Sequence, residues 1–134
     1  MTGLDTNVLV RYLTQDDATQ AALANRLIEE TLTADQPGFI STVVLVELVW
    51  VLESGYGCDR AQISAVLERL LRAKPLVVER AEVAWQAARL FAGSKADFAD
   101  CLIERAGHAN VCDCTVTFDR RAARDAGMRM LAHA

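Results

Sequence analysis

Met1-Thr2-Gly3-Leu4-Asp5-Thr6-Asn7-Val8-Leu9-Val10-Arg11-Tyr12-Leu13 opens the chain with a short apolar lead, a carboxylate and an amphipathic run. The pattern predicts a strand over residues 3–5 and a helix over 7–13, with Val8, Leu9, Tyr12 and Leu13 on one face. Asp5 then stands at the C-terminal tip of a first strand. Ligands of open α/β sheets sit just outside that end of the strands. Any site in this protein is expected to gather around Asp5.

The remaining chain alternates short strands and helices, which implies a parallel α/β sheet. Asp16 and Asp17 introduce a helix through residue 32, where acids suit the positive end of the helix dipole. Its expected inward set is Leu23, Ala24, Leu27 and Ile28. A brief strand at 39–40 follows Pro37-Gly38. Ser41 or Thr42 caps a helix over 43–54 that Gly55 and Gly57 end. Asp59 and Gln62 form a capping box for the next helix, whose apolar face is Ile63, Val66, Leu67, Leu70 and Leu71. A strand at 75–78 precedes a helix lined by Val83, Ala87, Leu90 and Phe91. Then come a helix over 97–108, a strand over 115–118 ending at Asp119, a short helix over 120–126 stopped by Gly127, and an edge strand over 128–131. Neither a linker nor a repeat divides residues 1–134, so a single domain is expected.

With 134 residues, 52% hydrophobic and 24% charged, the chain has the composition of a folded protein with a real core. No apolar run is long enough to span a bilayer, and no secretory signal is visible; a cytoplasmic protein is expected. The four cysteines, Cys58, Cys101, Cys112 and Cys114, read as free thiols of apolar character rather than a disulfide framework. Cys112 and Cys114 flank Asp113 in an expected strand, and a lone C-x-C with only His108 nearby is too little for a zinc site. The net charge of −4 argues against a nonspecific nucleic-acid coat protein. Twelve of the fourteen basic residues are Arg, the type suited to bidentate phosphate contacts. Arg11, Arg120 and Arg121 are candidates for such contacts.

Most of the eighteen acids suit solvated helix faces or first turns. Four positions stand apart. Glu47 interrupts Val43-Val-Leu-Val-Glu-Leu-Val-Trp-Val-Leu52, a helix apolar on every side, where a buried carboxylate is expected to need a proton, an Arg or a cation. Asp119 repeats the Asp5 pattern at a second strand tip. Asp97 and Asp100 fall three residues apart at a helix start and share one face. Clustered carboxylates repel unless a divalent cation joins them, and all-oxygen ligands suit magnesium or manganese. Such a site activates water and stabilises charge on a phosphate undergoing displacement. The only histidines are His108 and His133, neither placed to serve a nucleophile, and no phosphate-binding glycine loop is present.

Four ordered stretches, LDTNVLVRYL, STVVLVELVWVL, ADFADCLI and TVTFDRRA, together resemble a PIN-domain ribonuclease, most closely the VapC-type toxins of toxin–antitoxin modules. The resemblance spans essentially the whole chain. It implies a three-layer α/β/α fold with a central, mainly parallel sheet, and a magnesium-dependent endoribonuclease in which manganese substitutes. It also implies a homodimer, neutralisation by a small VapB-like antitoxin and a higher assembly with it. Carried over by motif, Asp5, Glu47, Asp100 and Asp119 are the catalytic acids, with Asp97 as a supporting acid and Asp5 and Asp100 as the metal ligands. Thr6 and Asn7 match the polar pair that follows the first acid, and Thr117 matches a hydroxyl near the fourth.

Two alternatives remain open on sequence. An aspartate-nucleophile phosphatase of the haloacid dehalogenase type also begins with Asp at a strand tip, but it wants a second Asp where Asn7 stands. A non-catalytic partner-binding module would use the acids as caps and salt bridges.

Overall fold

A computed structural model describes residues 1–131; His133 and the end of the expected 1–134 domain lie outside the described residues. The chain forms two compact units, Met1–Ala81 and the segment from Glu82 onward.

The first unit contains β1 (Thr2–Gly3), α1 (Thr6–Thr14), α2 (Ala18–Asn25), β2 (Gly38–Ile40), α3 (Thr42–Tyr56), α4 (Arg60–Arg72) and β3 (Leu76–Val78). Local chemistry sets most helix starts. Asp17 accepts the Gln20 N–H, Ser41 accepts the Val44 N–H, and Asp59 and Gln62 complete both halves of the predicted capping box. Gly57 closes α3 in the left-handed region (φ 64°), so the helix runs past Gly55 to Tyr56. The helix predicted through residue 32 changes character within its length. After Asn25 it continues as a π-helical turn over Arg26–Thr31, and the Leu32 N–H reaches back to Leu27.

The strands pair in parallel in the order β1-β2-β3, with Thr2 opposite Gly38 and Gly38 opposite Leu76. Gly38 sits where side chains close in from both sides. A Cβ there would come within 2.8 Å of Leu32 Cδ1 and 2.9 Å of Leu4 Cδ1, so no larger residue fits without displacement. Leu9, Ile40, Leu45, Leu48, Leu52, Ile63, Leu67 and Leu70 are fully buried, each worth about 1.5–3 kcal/mol of transfer free energy. One expected inward residue faces out: Leu23 is exposed, whereas Ala21 and Ala24 are buried. In α2, which packs on α1, small residues occupy the inward face, and they let two helices approach closely.

The second unit is formed by α5 (Ala81–Ala92), α6 (Phe98–Ala109), β4 (Val116–Thr117), α7 (Arg120–Ala126) and β5 (Arg129–Met130). Phe91 of α5 meets Phe98 of α6 edge to face, with ring centroids 5.8 Å apart. β4 and β5 pair in parallel, Val116 opposite Arg129 and Thr117 opposite Met130. The ladder continues at both ends, through Arg129 N–H to Thr115 O and Leu131 N–H to Thr117 O, both 2.8 Å. Parallel strands in both units agree with the predicted α/β class.

Cys112 and Cys114 are not in a strand. They belong to an irregular turn after α6, in which Val111 has a positive φ of 63°. Gly107 lets that turn fold back, since a Cβ there would lie 2.7 Å from Thr115 Oγ1. All four cysteines are free, but only Cys101 is fully buried and Cys112 is exposed, so the apolar-thiol expectation holds for Cys101 alone.

Candidate active site

In the first unit, Asp5 lies just past β1 as the N-cap of α1, and its Oδ1 accepts the Thr6 N–H at 2.8 Å. Thr6 is the single buried polar residue of the described chain, and its hydroxyl donates to Glu47 Oε1 on α3. Thr6 therefore serves two acids, Asp5 through its backbone N–H and Glu47 through its hydroxyl. Asn7 is exposed and makes no hydrogen bond to Asp5 among the described residues. Of the two polar residues expected to orient the first acid, Thr6 does so.

Glu47 requires a correction. It is exposed, not buried. Leu45, Leu48, Val49 and Leu52 form the buried face of α3, and the helix turns Val43 (76% exposed), Glu47 and Trp50 (66% exposed) outward along one stripe. The desolvation cost expected of a buried ion does not arise, and Glu47 has no need of an Arg.

A third acid at a strand tip escaped the sequence reading. Glu79 follows β3 directly and accepts the Thr42 N–H at 2.8 Å, at the start of α3. That backbone bond, with a second from the Thr42 hydroxyl, holds its carboxyl below the usual range. The signal was available, since Leu76-Val-Val-Glu79 repeats the strand-then-acid pattern of Asp5. Glu79 is committed to this cap.

Arg11, a candidate for phosphate contact, is also committed. It pairs with Asp16 at 3.2 Å and hydrogen-bonds Gln20 and the Tyr56 hydroxyl. The same Tyr56 hydroxyl, then Thr14 and Arg11, hold the Asp16 carboxyl low.

The second unit brings Asp97 and Asp119 into electrostatic range of Asp100. Asp97 occupies the N-cap position of α6 without making a side-chain cap bond, and Asp100 lies in the first turn. Asp119 caps α7 by accepting the Arg121 N–H at 2.8 Å, while its own N–H donates to Thr117 Oγ1 at 3.0 Å. Thr117 thus fixes the backbone that presents Asp119. The Asp100 carboxyl is pushed above its ordinary range, chiefly by burial and further by the charges of Asp97 and Asp119. All three causes favour the proton over the charge.

The donor set expected to serve a metal is all carboxylate oxygen, the chemistry of a hard divalent cation. A cation beside Asp100 would relieve the repulsion that raises its pKa. Among the described residues, no three His, Cys, Asp or Glu side chains are gathered closely enough to hold a metal ion. The residues therefore suit the ion in kind without forming a finished cage.

The family model for the PIN domain matches residues 4–127, a span that contains every acid named above. The chain is 30% identical over 99 residues to the VapC ribonuclease of Aquifex aeolicus (strain VF5), covering 74% of this chain and 73% of that protein. No solved structure matches. On the match to the PIN model and to this relative, the chain belongs to the PIN-domain family, as a protein of the VapC type.

Proposed function

We propose that this protein is a magnesium-dependent endoribonuclease toxin that cuts single-stranded RNA and is neutralised by a small cognate antitoxin. The observation that carries the metal-dependent reading is Asp100, a carboxylate held above its usual pKa by burial and by two neighbouring carboxylates. A fold gains no stability from such a group, and perturbed acids of this kind concentrate at functional sites. The VapC ribonuclease relative supports the reaction class.

Asp5 and Asp100 are the residues that would hold magnesium, with manganese as a substitute. When bound, the ion lowers the pKa of a water and neutralises charge on the phosphate. Glu47, held by the Thr6 hydroxyl, would orient the attacking water or hold a second, weaker ion. Asp119, presented by Thr117 and the start of α7, completes the acid set, and Asp97 supports Asp100. In-line attack of that water at phosphorus forms the new P–O bond and breaks P–O3′; the water gives up a proton to solvent and the departing O3′ takes one from it, leaving a 3′-hydroxyl and a 5′-phosphate.

Residues 1–134 act as one domain in this reading, supported by a family match that runs unbroken across both units. Homodimerisation and antitoxin binding draw support from the outward stripe of α3, where Val43 and Trp50 present apolar surface. No helix among the described residues is long and apolar enough to cross a membrane; a cytoplasmic site of action is part of this proposal.

The test is cleavage of a panel of single-stranded RNAs with magnesium, with EDTA, and with Asp5→Ala. Cleavage that survives EDTA or the Asp5 variant overturns the metal mechanism. A partner-binding module gains instead if manganese leaves thermal stability unchanged and no RNA is cut.

A further inference from the structure

The small β4–β5 sheet leaves one face open. Residues paired across a parallel ladder project to the same side, and successive residues alternate. Val116 and Arg129 therefore share a face, and Leu131, which continues the ladder opposite Thr117's carbonyl, returns to it. Val116 and Leu131 are both exposed, and Phe118, at the end of β4, is 74% exposed. An aromatic ring that open gains nothing for the fold.

Arginines stand near it in the chain and across the ladder, with the acid Asp119 as its immediate neighbour. Arg120 follows two residues on, Arg129 lies across the ladder from Val116, and neither forms an ion pair among the described residues, whereas the charge of Arg121 helps to hold the Asp125 carboxyl low. Arg11 and Arg124, by contrast, are each paired with a carboxylate. An exposed ring with unpaired arginines two residues on and across the ladder has the composition of a single-strand nucleic-acid platform, in which bases stack on the ring and phosphates meet the arginines. A second copy of the chain would bring the same positive charges face to face.

We propose that Phe118, with Arg120 and Arg129, forms a stacking platform for a base of the single-stranded RNA outside the acid site, making Phe118 a substrate-positioning residue. Phe118 is the chain neighbour of Asp119 but shares the face of Val116 and Leu131, so a base stacked on it is held one residue along the chain from that acid, on the other side of the strand. The inference rests on the ribonuclease reading above.

It is tested on the full chain by anisotropy of a fluorescein-labelled single-stranded RNA of mixed sequence in EDTA. Phe118→Ala is expected to weaken binding roughly 5- to 100-fold, the span of one lost base–aromatic stack. Phe118→Leu, apolar but without a π face, is expected to lose as much, while Phe118→Trp restores affinity and its fluorescence is quenched by RNA. Arg129→Gln is expected to reduce the salt slope of binding by about 0.7, one phosphate's worth. In magnesium, Phe118→Ala is expected to raise KM more than it lowers kcat.

Phe118→Leu binding like wild type overturns the platform. So does a Phe118→Ala variant that dissociates a dimer by light scattering while keeping its RNA affinity, which would give the face to a second copy. Wild-type protein that neither binds nor cuts any RNA brings down the ribonuclease reading and this inference with it. Wild-type cleavage with Phe118 variants that bind normally brings down the platform alone.

Discussion

The acids of the first unit are held by donors, whereas those of the second press against one another. Asp5 and Glu47 both receive hydrogen bonds from Thr6, one from its backbone and one from its hydroxyl. Asp100 is subject to burial and to the charges of Asp97 and Asp119, and every one of these causes opposes its ionisation. The contrast separates two tasks. In the first unit the fold and the proposed chemistry want the same thing, a carboxylate held in a fixed pose. In the second they conflict, and a sequence that keeps such a conflict is keeping it for something other than stability.

The largest expected effect tests that separation directly. Asp5→Ala and Asp100→Asn should each lower kcat/KM for RNA by about 1,000-fold, the scale of removing one preorganised electrostatic group. Their melting temperatures should move in opposite directions. Asp5→Ala loses a helix cap worth about 0.5–1 kcal/mol, a fall of about 2–4 °C, and Asp100→Asn rises. If both variants melt lower, the contrast between the units is wrong.

Thr6→Val keeps the buried shape and removes the donor to Glu47. An activity loss of about 10- to 100-fold is expected, as for other groups that orient a working side chain. Unchanged turnover would reduce the Thr6–Glu47 bond to scaffolding.

Manganese should stabilise the wild type by about 2.7 kcal/mol at a hundredfold excess over its Kd. Calorimetry should show no such gain for Asp100→Asn. An equal gain in both would place the ion elsewhere.

The smallest effect is the pH dependence. Because the folded-state pKa of Asp100 is raised, the contribution of its protonated form is complete below the unfolded carboxylate pKa and is lost as pH rises through the folded value. The stabilisation by Asp100→Asn should thus be present at neutral pH and vanish in acid. A melting difference that stays constant across that window would mean that Asn acts through packing rather than charge.

What the sequence made legible was local. Asp17, Ser41 and the Asp59–Gln62 pair cap the helices they were expected to cap, because capping depends on residues within one turn. The acids Asp97, Asp100 and Asp119 could be grouped because two share a helix turn and the third repeats a strand-tip pattern. What failed depended on surroundings. Apolar residues all round α3 implied burial of Glu47, but apolarity alone does not distinguish a core from an outward face. Leu23 was expected inward on the strength of its hydrophobicity, whereas α2 presents Ala21 and Ala24 there. The turn that carries Cys112 and Cys114 out of a strand depends on how closely Gly107 allows Thr115 to approach.

Thr6 also bears on how the first unit acquires its arrangement. Its hydroxyl and Glu47 are separated by 41 positions in the sequence, so the pose of Glu47 is settled only once α3 has packed against α1. Threonine's branched Cβ leaves few torsional choices. That one torsion angle therefore links the completion of tertiary structure to the aim of an acid: a chain that has formed its helices but not yet joined them has the carboxylate without its direction.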